Sequence, residues 1–122
     1  PEVLIIGCGT LVHNALLAAK ELENEVSVAV INNHTVKPMD RNTIVSYAKK
    51  TGAVVTVEEH QIAGGMGSAV AELLAQEYPA PVEFIGVHDK FGQSGNPDEL
   101  IEHYGMGVGA IKEAIRKAKG RK

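Results

Sequence analysis

Three histidines, His34, His60 and His88, each stand just beyond an apolar run of the chain. Glu58 and Glu59 precede His60, and Asp89 follows His88. If those runs are strands of one sheet, the three rings converge at one edge. With Asp89 or Glu59 they could bind a metal, or His60 could act as a general base with Glu59 orienting its ring. The spacing favours neither. The metal motifs with two ligands on one helix face are missing, and Gly64-Gly65-Met66-Gly67-Ser68 lacks the G-x-S-x-G of a nucleophile elbow. Glu58 and Glu59 are adjacent on a strand and point to opposite faces, so they form no acid/base dyad. Gly7-Cys8-Gly9-Thr10 begins like a dinucleotide fingerprint, but Val12 stands where the third glycine is needed, and the next strand ends at Ile31-Asn32 without an acidic residue. That stretch reads as a tight turn and Cys8 as a small buried thiol. His13 and His103 fall on helices and are expected at the surface. Lys37, Lys90 and the helix start at Gly65 could together receive a phosphate or carboxylate. The plainer reading of these polar loops is a wet interface, with the histidines hydrogen-bonded to a neighbour.

The elements that must carry these residues alternate in type. Val3 to Ile6 is a continuous apolar run, as in a parallel strand covered on both faces. Leu11, Ala15, Ala18 and Leu22 recur at helical spacing, with Thr10 as N-cap. Val26 to Ile31 is a second strand, and Pro38 keeps the segment after it non-helical. Asp40 caps a second helix with Ile44, Tyr47, Ala48 and Thr51 inward and Gly52 as its stop. Val54 to Val57 begins the third strand. A polar loop from Glu58 to Gly65 is expected after it, then a helix that ends before Pro79 and Pro81. Val82 to Val87 is the fourth strand. Asn96-Pro97-Asp98-Glu99 signals another helix start, with Leu100, Ile101 and Tyr104 on its apolar face. A last helix begins near Gly107, with Val108, Ile111 and Ile115 inward. Its basic end, Lys112 to Lys122, reads as a solvated tail that complements the helix dipole. The pattern predicts a three-layer α/β/α doubly wound fold. Its mainly parallel sheet has about four to five strands, in order 2-1-3-4, within a single domain over residues 1–122. The polar segments after all four strands then share one edge, where such sheets meet ligands.

Composition excludes several classes. The chain has 122 residues, 44 % of them hydrophobic, which is enough for a core. A net charge of −3 and 4 % aromatic residues without Trp argue against nucleic acid and anionic membrane as partners. One cysteine excludes an internal disulfide framework and fits a reducing cytoplasm. No apolar run approaches the ~20 residues of a membrane span, and no signal peptide is recognisable. The opening at Pro1 reads as a cut from a longer polypeptide.

Three motifs in register carry a family resemblance. Ile31-Asn32-Asn33-His34-Thr35-Val36-Lys37-Pro38-Met39-Asp40 resembles the segment after the second strand in transketolase C-terminal domains. Thr56 to Val70 is similar to that family's third strand, loop and helix. Phe91-Gly92-Gln93-Ser94-Gly95, with Leu100 and Tyr104-Gly105, resembles its closing loop and helix. The resemblance implies a dimeric, three-domain enzyme that moves a two-carbon ketol unit between sugar phosphates, using thiamine diphosphate and Mg²⁺. Both cofactors sit in the other two domains, so this chain is expected to hold no cofactor, no metal and no catalytic residue, and to be inactive alone. The expected partners are the remaining domains or a companion subunit, and a homo-oligomer is expected. Glu59, His60, Gly64, Gly65, His88, Phe91, Ser94 and Gly95 are the candidate interface or substrate-channel residues, with Lys37 and Lys90 as secondary anion candidates. The antiparallel strand that usually precedes Val3 in that family is missing, and the edge so left would invite self-association.

Other members of the superfamily offer alternatives: 1-deoxy-xylulose-5-phosphate synthase, or a 2-oxoacid dehydrogenase beta subunit whose corresponding domain grips a partner. A free-standing small-molecule binder using Lys37 and Lys90 is the remaining rival.

Overall fold

The fold follows from strands that are apolar on both faces. In the computed structural model they are β1 (Val3–Gly7), β2 (Val28–Asn32), β3 (Val54–Gln61) and β4 (Val82–Val87). The helices are α1 (Leu11–Glu21), α2 (Arg41–Thr51), α3 (Met66–Glu77) and α4 (Val108–Gly120). The structure describes residues 1–9, 11–32, 40–61, 65–87 and 107–122, and for 59–61 and 87 the backbone only. Thr10 as N-cap and the expected helix after Asn96 lie outside the described residues.

Among the described residues the sheet has four strands, in the expected order β2-β1-β3-β4, all parallel. Val3 pairs with Val28, Leu4 with Val54, and Val54 with Val82. Alternation along the strands divides the core in two. Val3, Ile5, Val55 and Val57 pack with Leu11, Ala15 and Ala18 of α1 and Ile111 and Ile115 of α4. Leu4, Ile6 and Val54 pack with Ile44 and Ala48 of α2 and Met66, Val70 and Leu74 of α3. A fully buried Leu or Ile stabilises by about 1.5–3 kcal/mol, so both layers are needed to hold the sheet.

The helix ends follow local chemistry. Asp40 Oδ1 accepts the Thr43 N–H at 3.2 Å, and Gly52, at φ 79°, stops α2 by donating its N–H to the Ala48 carbonyl at 2.8 Å. Thr51 Oγ1 donates to the Tyr47 carbonyl at 2.9 Å, which satisfies a hydroxyl in a buried residue. Tyr47, expected inward, is half-buried and its ring carries Lys50 Nζ 5.0 Å from its centroid.

Three expectations are corrected here. β2 starts at Val28, because Val26 still donates its N–H to the Leu22 carbonyl at 2.8 Å and so closes the turn that follows α1. Cys8 is half-buried rather than buried, since it sits where β1 leaves the sheet. The basic end of α4 is no free tail. Lys112 pairs with Glu21 at 3.0 Å, Arg116 with Glu25 and Glu113 at 3.0 Å, and Lys119 with Glu2 at 3.1 Å. Arg121 holds Glu83 and the Val82 carbonyl. Exposed pairs of this kind are screened by water and add little to stability, so they orient the helix more than they hold it.

Candidate functional site

Parallel strands place their carboxyl ends on one edge, and the pairings Gly7 with Asn32, Gly7 with Val57 and Gln61 with Val87 define that rim. Gly7 turns off the sheet with no room for a side chain: a Cβ there would lie 2.9 Å from Val12 Cγ2. Gly9 follows at φ 77°, and the Cys8 N–H donates to the Val57 carbonyl at 3.0 Å. The G-x-G pair therefore serves the strand-to-helix turn, as the missing third glycine implies.

The best-defined feature of the rim joins β3 to α3. Gly65 precedes α3 in an extended conformation and, being glycine, offers no capping side chain. Glu58 takes that role from across the connection. Its Oε1 accepts the Met66 N–H at 2.9 Å and its Oε2 the Gly67 N–H at 2.5 Å. The carboxylate is buried, at 1 % exposure, and it faces two of the donors that a helix start leaves without partners. Gly67 permits the approach: a Cβ there would lie 2.9 Å from Glu58 Oε2, Thr56 Oγ1 and Phe84 Cδ1 alike. Thr56 is fully buried and its hydroxyl has no hydrogen-bond partner.

This bears on one part of the expected anion site, the helix start, while Lys37 and Lys90 lie outside the described residues. The first turn of α3 does attract a negative group, but the chain's own Glu58 supplies it. Sequence reasoning treated Glu58 only as half of a non-functional pair. The signal that could have found it is a glycine at the N-cap, which obliges another residue to satisfy the first N–H groups. Alternation holds through this point, since Thr56 and Glu58 share the face of β3 that meets α3. Where a loop was expected from Glu58, the strand instead runs on to Gln61, which still pairs with β4: β3 advances four residues, from Val57 to Gln61, while β4 advances two, from Ile85 to Val87, so Glu59 and His60 lie on an irregular stretch of strand.

Of the candidate wall residues, Glu59 and His60 are placed by backbone at the end of β3, and Gly65 is half-buried at the start of α3. Gly64, His88, Phe91, Ser94, Gly95, Lys37 and Lys90 lie outside the described residues, as do His34, Asp89 and His103. His13 is exposed on α1, as expected. Charge gathers on the opposite edge. Arg116 donates to Glu25 and holds its carboxyl below the usual carboxylate range. Glu2 is lowered likewise, first by the Ser27 N–H and then by Lys119. Both acids precede strands, so this network lies at the amino-end edge, away from the rim.

No group of three His, Cys, Asp or Glu among the described residues could hold an ion, and the α3 start is filled by Glu58. No described helix is long and apolar enough to cross a membrane.

Comparison with known proteins converges. The family model described as transketolase, C-terminal domain, matches residues 1–111. A 6-deoxy-6-sulfo-D-fructose transketolase subunit from Clostridium sp. strain MSTE9 is 44 % identical over 96 % of this chain and 36 % of its own length. A 1-deoxy-D-xylulose-5-phosphate synthase from Crocosphaera subtropica is 42 % identical over 95 % of this chain and 19 % of its own. Among solved structures, a split gene transketolase described as an inactive beta4 tetramer superimposes with a TM-score of 0.93 at 46 % identity, over 98 % of this chain and 39 % of its own. The chain thus spans between a fifth and two fifths of these relatives.

Proposed function

The chain belongs to the transketolase C-terminal domain family, and from that premise we propose that it is the C-terminal domain or subunit portion of a thiamine-diphosphate-dependent transketolase. The complete enzyme moves a two-carbon ketol unit between sugar phosphates in the cytoplasm. Residues 1–122 act as one domain that shapes the dimer interface and the wall of the substrate channel. Thiamine diphosphate, when bound, supplies the nucleophilic carbon chemistry. It and Mg²⁺ are held by the other domains or by a companion subunit. Glu59, His60, Gly64, Gly65, His88, Phe91, Ser94 and Gly95 serve as wall or interface residues, and Lys37 and Lys90 help to receive the anionic end of the sugar. The observation that carries this reading is the likeness of nearly the whole chain to the split gene transketolase, at 46 % identity and a TM-score of 0.93. That relative's tetrameric assembly also supports self-association here.

The second reading, a 1-deoxy-xylulose-5-phosphate synthase, is favoured by the 42 % identity to that enzyme. One experiment separates the two. The polypeptide is assayed alone and with the companion that bears the other domains, for ketol transfer from phosphorylated and sulfonated ketoses and for formation of 1-deoxyxylulose 5-phosphate. Ketol transfer in the mixture only is expected. Turnover by the lone chain would defeat the reading, and 1-deoxyxylulose 5-phosphate as the sole product would favour the alternative.

A further inference from the structure

We propose that Glu58 is a positioning residue for this rim. Its carboxylate ties the first turn of α3 to the carboxyl end of β3 and so sets Glu59, His60 and Gly65 relative to one another. The functional part of the proposal rests on the reading above, in which that rim walls the substrate channel.

Four observations carry it. The two bonds, 2.9 Å to the Met66 N–H and 2.5 Å to the Gly67 N–H, close a ring from the strand to the helix across the intervening residues. Gly65 has no side chain with which to cap the helix itself. Between Val57 and Gln61 the register with β4 slips, so regular pairing does not by itself fix Glu59 and His60. Finally, the carboxylate is buried at 1 % exposure, with Thr56 and Phe84 beside it around the Gly67 backbone, which leaves it little freedom to turn. A carboxylate has two acceptor oxygens for two donors. An amide of the same shape has one, and its NH₂ would face the second N–H group.

The test uses Glu58→Gln in the assembled enzyme, chain plus companion, with Val70→Ala as control. Val70 is a buried core residue of α3 one turn beyond Met66 and Gly67, and its side chain makes neither of the two carboxylate bonds, so its truncation loosens the helix packing and leaves both bonds in place. Hydrogen exchange at Met66, Gly67, Glu59, His60 and Gly65 is expected to quicken by about tenfold or more in Glu58→Gln, with α1 and α2 unchanged. KM for the sugar phosphate donor is expected to rise about fivefold or more, with kcat within about twofold. Val70→Ala is expected to lower the melting midpoint and leave KM alone. Unchanged exchange in Glu58→Gln, an unchanged KM, or an equal KM rise in Val70→Ala would each overturn the assignment. A wild-type assembly without ketol transfer would instead sink the functional reading, and the exchange result would still decide whether Glu58 holds the turn.

Discussion

Two glycines occupy the same helical position in different surroundings, and they make a matched test of how tightly α3 sits on the sheet. Gly67 is the second residue of α3 and Gly109 the second of α4. A Cβ at Gly109 meets nothing within 4 Å, whereas one at Gly67 meets Glu58 Oε2, Thr56 Oγ1 and Phe84 Cδ1, each at 2.9 Å. Replacing glycine by alanine in a helix gains up to about 1 kcal/mol where the space is open. Overpacking a close-packed contact costs about 1–3 kcal/mol. All three neighbours at Gly67 are side chains of strand residues, and two of them, Thr56 and Glu58, are buried and have little room to give way, so the cost prevails, and Gly67→Ala should lose about 1–2 kcal/mol net. At ~2.1 cal/mol/K per residue, a chain of 122 residues shifts by roughly 4 °C per kcal/mol. Thermal denaturation followed by circular dichroism should therefore place Gly67→Ala about 4–8 °C below wild type and Gly109→Ala about 1–4 °C above it. If both variants moved upward together, the close approach of α3 to β3 would be wrong, and the Glu58 cap with it.

Gly52→Ala should lower the urea midpoint by an amount equivalent to about 1 kcal/mol, because φ 79° is a conformation that alanine adopts at a cost; an unchanged midpoint would refute a left-handed stop for α2. Asp40→Ala should cost about 1 kcal/mol in the same titration through loss of the Thr43 N–H cap, and no loss would mean that the cap is idle. The Glu25–Arg116 pair gives a pH signature. Because the folded-state carboxyl is lowered, its contribution is present above the ordinary carboxylate range and disappears as pH falls through the lowered value. Glu25→Gln should thus differ from wild type at neutral pH and merge with it in acid, in urea titrations at low salt; a difference that persisted at low pH would contradict the pairing.

How much of this was legible in the sequence depends on the range of the interaction. The strand order and the two core layers were, because Leu4 against Ile5 and Val54 against Val55 only fit a sheet covered on both faces. Asp40 and Gly52 were too, since each acts within three or four residues of itself. Glu58 was not. Its partners stand eight and nine residues away and are backbone groups of another element, so no periodicity marks them. The pairing of the α4 basic end escaped for the same reason: Lys112 and Glu21 meet only once α1 and α4 share a face of the sheet. The place of the candidate site, the strand carboxyl edge, was legible from topology. The physics of an anion at the α3 start was legible as well, while its source within the chain was not.

The central claim is a division of labour, in which this chain positions the rim and other domains hold the cofactor. Calorimetric titration of thiamine diphosphate with Mg²⁺ tests it directly, first against the chain alone and then against the chain assembled with its companion. The account predicts no saturable binding to the chain alone and stoichiometric binding to the assembly. Saturable, stoichiometric binding to the lone chain would contradict it.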